Sequence, residues 1–215
     1  TVHVNQDIPA NCDGLAWAIL HDAYASNGAA QTDTATWEAK YRSTVGNNTA
    51  QGSLEDDGNT IHITHVTDEK DPSRIHAGHI HLMHAIPPSS RLANQTIQFK
   101  NNRKPSSGCV IEIPEMNTSM EIQDRSMRSV HHDGEIPLRV DLIGWETTED
   151  NRMLPKELMI TAFESDGSIR SVTSLNRTYV EQDGKHVLKS QSGTVIEGKD
   201  QSSQMRLQMS DIKIN

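Results

Sequence analysis

The sequence is poor in aromatic residues, which make up 4% of its 215 residues, and hydrophobic residues reach only 34%. This hydrophobic share lies below the range of typical globular domains, so part of the chain must form loops or polar sheet faces. No apolar run approaches the ~20 residues of a membrane-spanning helix, and we therefore expect no membrane span. The net charge of −9 disfavours nucleic-acid backbones and anionic membranes as partners.

Cysteine is also scarce, with only Cys12 and Cys109. In an extracellular protein two cysteines most simply form one disulfide, worth roughly 4–5 kcal/mol for a loop of this length on the chain-entropy model. The alternative is two unrelated buried thiols. The chain starts at Thr1 without an apolar leader, as a processed secreted protein would, although a shortened chain would look the same.

Four Asn-x-Ser/Thr sequons accompany this cysteine pair. Each triplet is a weak signal alone, because polar chains produce such triplets by accident. Together with the cysteines and the N-terminus they predict a secreted glycoprotein. The sequons are at Asn47, Asn94, Asn117 and Asn176.

Residues 1–46 differ from the rest of the chain and predict a helical segment that packs on a sheet. Asp13 is a candidate N-cap for a helix that ends near Gly28. A second short helix is expected after Asp33, because large residues recur there at helical spacing. The residues on its predicted apolar face are Trp37, Tyr41 and Val45.

From about residue 50 the pattern changes to short strands that are separated by turns. Asp-Gly pairs, which are strong hairpin signals between strands, recur at 57–58, 133–134, 166–167 and 183–184. This pattern predicts an all-β fold, a β-sandwich or jelly roll, in a single domain over residues 1–215 with the sandwich in 50–215. The predicted strands are 59–66, 74–85, 95–100, 108–113, 119–123, 136–145, 157–164, 168–174, 177–181, 185–189, 194–197 and 204–214.

Histidines cluster in one part of the sequence, and six of the 11 lie between residues 62 and 84. An antiparallel hairpin of 61–66 with 74–84 can pair His62 with His79. Because side chains alternate between the faces of a strand, His62, His79 and His81 then share one face while isoleucines share the other. A slip by one residue would move the isoleucines to solvent, which favours this register.

Three imidazoles at such spacing suit a transition metal, and we expect zinc or copper, with Asp141 as a further ligand or as the hydrogen-bond partner of a ligand. An open coordination position would allow catalysis through a metal-bound water. Calcium is the weaker alternative, because the acidic loops at 55–57 and 68–71 do not match the spacing of a calcium loop. Without metal, a neutral imidazole can bind a ligand or accept a proton. A solvated sheet face with no role is the remaining interpretation.

The predicted strand 136–145 has two different faces. Its alternation places Arg139, Asp141 and Trp145 together, opposite an apolar trio. If this face adjoins the histidines, the surface suits an acidic sugar. Arg139 would pair with the sugar carboxylate and Trp145 would stack on its ring. A surface Arg–Asp pair of negligible energy is the alternative interpretation.

Three functional hypotheses follow, and the sequence leaves all three open. The first is a metal centre at His62, His79 and His81. The second is a metal-free enzyme on an extracellular uronate-containing glycan, of the lyase type, or a protein that binds such a glycan or a small ligand. In that enzyme His79 or His81 is the base, Arg139 pairs with the carboxylate and Tyr179 is the acid. The third is a structural, self-assembling extracellular protein, in which sheet edges and sequons matter.

Overall fold

The fold is that of a β protein with one α-helix, as seen in a computed structural model of the chain. The backbone of residues 64–66 is described without their side chains. The described residues are 10–26, 36–57, 61–66, 86, 92, 94–100, 108–149, 151, 153–182, 184–198 and 201–214.

The described strands form one antiparallel sheet of 12 strands, in the order β3-β2-β1-β12-β11-β10-β9-β8-β7-β6-β5-β4. Neighbours in this sheet are also neighbours in the sequence, except that β1 pairs with β12. The elements are α1 (Gly14–Ser26), β1 (Trp37–Val45), β2 (Asn48–Asp56), β3 (Ile61–Val66), β4 (Gln98–Phe99), β5 (Cys109–Ile113), a 3₁₀ turn (Pro114–Met116), β6 (Thr118–Gln123), β7 (Ser126–His132), β8 (Leu138–Thr147), β9 (Met153–Phe163), β10 (Ile169–Gln182), β11 (Lys185–Glu197) and β12 (Gln201–Ile214).

The all-β class predicted from the sequence is confirmed. Because every strand in the described ranges belongs to the same sheet, the two-sheet arrangement of a sandwich or jelly roll stays a prediction. No helix within these ranges is long and apolar enough to cross a membrane. The predicted strand 74–85 and the His62–His79 register lie outside the described residues.

Helix α1 begins as the sequence predicts. The Asp13 carboxylate caps it, because its Oδ1 accepts hydrogen bonds from the backbone N–H groups of Leu15 (3.0 Å) and Ala16 (3.2 Å). Its buried side chains, which include Leu20 and Tyr24, pack against the sheet. The predicted end at Gly28 falls outside the described residues.

The second predicted helix is wrong, because this segment is strand β1. Trp37, Tyr41 and Val45 are four residues apart, and this spacing places them on one face of a helix and equally on one face of a strand. The intervening Ala39 and Ser43 are also buried, so the true period is two. Strand β1 starts inside the segment 1–46 that was predicted to be helical.

Several hairpin turns fall where the Asp-Gly pairs predict them. The pairs at 133–134 and 166–167 lie between β7 and β8 and between β9 and β10. Gly184 joins β10 to β11 with φ of +73°, a left-handed conformation that glycine adopts without strain. Strands β2 and β7 were not predicted, and β10 and β11 each merge two predicted strands.

One face of the sheet, here called the inner face, carries the apolar core. A first buried cluster lies under α1 and contains Leu20, Met120 and Met205. A second contains Trp37 and Leu207. Met205 and Leu207 are two residues apart on β12, so both clusters lie on the same side of the sheet. The opposite side, the outer face, is predominantly polar.

Candidate ligand-binding site on the outer face

A group of polar side chains from three adjacent strands meets on the outer face, and we call it the polar cluster. Its members are Glu121 of β6, Ser129 and His131 of β7, and Arg139 and Asp141 of β8. Glu121 pairs with Ser129, Ser129 with Asp141, and His131 with Arg139. The alternating residues Met120, Val130 and Val140 are fully buried in the core, so the polar set must point to the other side.

Arg139 and Asp141 form an ion pair on this face. The Arg139 Nε donates a hydrogen bond to Asp141 Oδ1 at 2.8 Å. The Arg139 side chain is 45% exposed and that of Asp141 is 20% exposed. At this exposure the pair contributes little to folding stability. Its effect is to hold the guanidinium in place while much of it stays in contact with water.

His131 lies beside this pair and is hydrogen-bonded to Ser129. Its Nε2 is 3.2 Å from Ser129 Oγ, and the same hydroxyl lies 3.3 Å from Glu121 Oε2. A hydroxyl has one proton, so it donates to either the imidazole or the carboxylate. When it donates to Glu121, the imidazole Nε2–H can donate to Ser129, and the three groups form a continuous chain.

The environment of His131 keeps its imidazole neutral at pH 7. Partial burial lowers the pKa of His131 below its usual 6.5, because desolvation disfavours the charged ring, and the Arg139 cation lowers it further. The carboxylates of Asp141, Asp133 and Glu121 oppose this shift without reversing it. Protonation of His131 therefore requires acid.

Ser129 could act as a nucleophile or orient His131, and its burial distinguishes these two roles. A Ser–His hydrogen bond is also found in nucleophilic hydrolases. Ser129, however, is only 1% exposed, so its hydroxyl is out of reach of a substrate. Its role here is to orient His131. The accessible groups of the polar cluster are the Arg139 guanidinium, the Glu121 carboxylate and, in part, the His131 imidazole. Of these, the guanidinium is the group suited to binding an anion.

The predicted metal ligands are not brought together by the described part of the sheet. His62 lies on β3, with 53% of its side chain exposed and its Nε2 3.1 Å from Asp57 Oδ2. Asp141 lies on β8, seven positions away in the strand order. No group of three His, Cys, Asp or Glu side chains among the described residues is placed to hold a metal ion. His79 and His81 lie outside those residues, so the zinc or copper site stays a prediction.

A β-bulge at Gly144 separates Trp145 from Arg139 and Asp141. The register of β8 against β9 shifts on both sides of Gly144, which reverses the alternation. Trp145 consequently packs against the inner core, where its buried Nε1 has no hydrogen-bond partner among the described residues. This corrects the expected grouping of Trp145 with Arg139. Glycine inside a strand is the sequence signal for such a bulge.

Tyr179 is also on the inner face. It packs against the second core cluster, and its hydroxyl donates a 2.7 Å hydrogen bond to the carbonyl of Pro155. Burial raises the pKa of Tyr179 above its usual 10. Arg139 and Tyr179 therefore lie on opposite sides of the sheet, and the structure does not combine them in one site.

The two cysteines are free thiols, so the predicted disulfide is not formed. The Sγ of Cys12 is 3.3 Å from the carbonyl oxygen of Gln95, which precedes β4. Gln98, at the start of β4, pairs with Glu112 near the end of β5. Because the two strands are antiparallel, Cys12 lies near the end of β5, whereas Cys109 lies at its start. The four sequon asparagines are all exposed, and their glycosylation stays a prediction.

Sequence reasoning missed the central role of β7 in this site. The Asp-Gly pair at 133–134 predicts a turn directly after His131, and the strand before that turn was not predicted, although Ser129 and His131 alternate with the apolar Val130. That alternation is the feature of the sequence that indicates strand β7.

No model of a known protein family matches the sequence, and no curated protein matches it.

Proposed function

We propose that the protein binds a carboxylate-bearing ligand at the polar cluster on the outer face. The observation that carries this proposal is the Arg139 guanidinium, which is 45% exposed and held through its Nε by Asp141. Its two terminal nitrogens have no partner within the described part of the chain. A guanidinium in this state can form the paired hydrogen bonds that favour carboxylates.

The neighbours of Arg139 support a small acid as the ligand. A neutral His131 supplies a ring that donates or accepts according to its tautomer. Glu121 and Asp141 add negative charge around the site, and the whole chain carries −9. A long polyanion would be repelled by this surface. A single carboxylate, such as one uronate unit of a glycan, avoids most of that repulsion.

Binding of galacturonate by the intact protein tests this proposal. Titration followed by NMR shifts should show saturation at His131, with the neutral sugar galactose as the negative control. Arg139→Gln should weaken binding at least about tenfold, because a hydrogen bond to a charged group contributes about 1.5–3 kcal/mol. Arg139→Lys should weaken it less, since it keeps the charge and loses the two-point geometry.

Arg206→Gln is the matched control. Arg206 is exposed on β12 and pairs with Thr44 and Ser192, whose strands are remote from the polar cluster. This variant should bind galacturonate as the wild type does. Equal binding by wild type and Arg139→Gln would overturn the proposal, and so would equal loss in the Arg139→Gln and Arg206→Gln variants.

A further inference from the structure

Four apolar side chains of β9, β10 and β11 lie together on the outer face near the polar cluster, and we call them the apolar patch. They are Phe163, Ile169, Val172 and Ile196. Ile169 is 61% exposed and Ile196 is 49% exposed, while Phe163 and Val172 are partly buried. None of the four belongs to the two core clusters of the inner face.

The strand registers make this patch continuous. Ile169 pairs with Phe163 across β10 and β9, and Val172 pairs with Ile196 across β10 and β11. Val172 also pairs with Thr161, which is two residues from Phe163 on β9, so Val172 and Phe163 are diagonal neighbours on the same face. Directly opposite side chains in a sheet are in contact, so the four residues form one exposed apolar surface.

The same registers connect the patch to Arg139. Arg139 pairs with Thr161 of β9, and Thr161 pairs with Val172. Thr161 is 8% exposed and lies between Arg139 and Val172. With neighbouring strands about 4.8 Å apart, Val172 lies ~10 Å and Ile196 ~14 Å from Arg139 across the sheet. The Arg139 cation and the apolar side chains of Val172 and Ile196 therefore lie in one row that runs across the strands.

The size of the patch indicates a small molecule. Each partner in a stable protein–protein interface contributes about 800 Å², far more than four side chains of which two are largely covered. A second copy of this chain is disfavoured further by its charge of −9. Exposed apolar surface next to a few charged groups is typical of sites for ligands with an apolar part.

We infer that the ligand at Arg139 is an amphipathic carboxylate whose aliphatic body lies on the apolar patch. The inference rests on the proposed function and names its ligand class. The carboxylate pairs with the Arg139 guanidinium, and the chain crosses Thr161 to reach Val172 and Ile196. An unbranched acid of roughly ten carbons has the length for a row of about 14 Å.

Decanoate and butyrate are the probes that test this inference, each used below its micelle-forming concentration in calorimetric titrations of the full chain. Decanoate should bind at least about tenfold more tightly than butyrate, because its additional methylenes leave water on binding. Ile196→Ser should reduce that preference at least threefold while butyrate binding stays unchanged. Ile143→Ser is the matched control, since Ile143 is 59% exposed and lies along β8, outside the cross-strand row from Arg139 to Ile196.

The outcomes separate this inference from the function on which it rests. Equal affinities for decanoate and butyrate, or equal effects of Ile196→Ser and Ile143→Ser, would overturn the amphipathic ligand and leave carboxylate binding standing. Absence of binding by both acids, or binding that Arg139→Gln does not weaken, would overturn both proposals.

Discussion

Arg139 lies directly opposite His131 across the antiparallel pair of β7 and β8. A permanent cation and a titratable ring therefore occupy one cross-strand position on the outer face. Asp141, which accepts the Arg139 hydrogen bond, is two residues further along β8. The pKa of His131 consequently depends on its charged neighbours as well as on its burial, and this pKa can be measured.

The titration of His131 should report these neighbours. In the wild type its pKa should lie below the usual 6.5, because of burial first and of Arg139 second. Arg139→Gln should raise that pKa, since it removes the second cause and leaves the opposing carboxylates. NMR titration of the histidine ring protons measures both values. Arg206→Gln should leave the His131 pKa where the wild type has it.

Affinity for a carboxylate ligand should depend on pH through the same ring. A bound anion favours the imidazolium, so the affinity should rise as the pH falls below 6.5 through the lowered pKa of His131. The rise ends where the ligand itself becomes protonated, near pH 4. Galacturonate titrations between pH 4.5 and 7.5 measure this, and His131→Gln should remove most of the dependence. A pH dependence that persists in His131→Gln would assign it to another group.

Gly193 of β11 should tolerate no side chain. A Cβ at this position would lie 1.8 Å from the carbonyl oxygen of Ser174, so the backbone would have to move. Gly193→Ala should destabilise the protein by roughly 3 kcal/mol, at the upper end of overpacking effects. Gly134→Ala is the control, because no atom of the described residues beyond its two chain neighbours lies within 4 Å of an added Cβ. Urea unfolding of the two variants should show this contrast, and similar midpoints would contradict it.

Both cysteines should react as thiols. Cys12 is partly exposed and Cys109 is buried, so alkylation of the native protein should be faster at Cys12. Burial also raises the pKa of the Cys109 thiol, which slows its reaction further. Mass spectrometry after alkylation in denaturant without reductant should show both residues modified. Modification only after reduction would instead indicate a disulfide.

The sequence predicted the class of the fold and several of its turns, because these depend on local chemistry. Asp13 caps α1 through its own carboxylate, and the Asp-Gly pairs form turns without help from distant residues. Whether the β1 segment forms a helix or a strand does not follow from its own sequence alone. The spacing of Trp37 and Tyr41 fits a helix and a strand alike, and pairing with β2 and β12 selects the strand.

The candidate site was only partly predictable for a related reason. Arg139 and Asp141 are two residues apart, so alternation alone places them together. Trp145 follows the bulge at Gly144, which a rule of strict alternation cannot represent. His131 joins the site through the register of β7 with β8, and a register depends on the whole sheet rather than on one segment.

The pairing of β1 with β12 bears on how the sheet folds. The first hairpin, β1 and β2, meets the rest of the described sheet only through the last strand. Contacts between such distant parts of a chain slow folding. Until β12 pairs with it, β1 has one unpaired edge that can pair with another chain. Deleting β12 would divide the described sheet into β1–β3 and β4–β11.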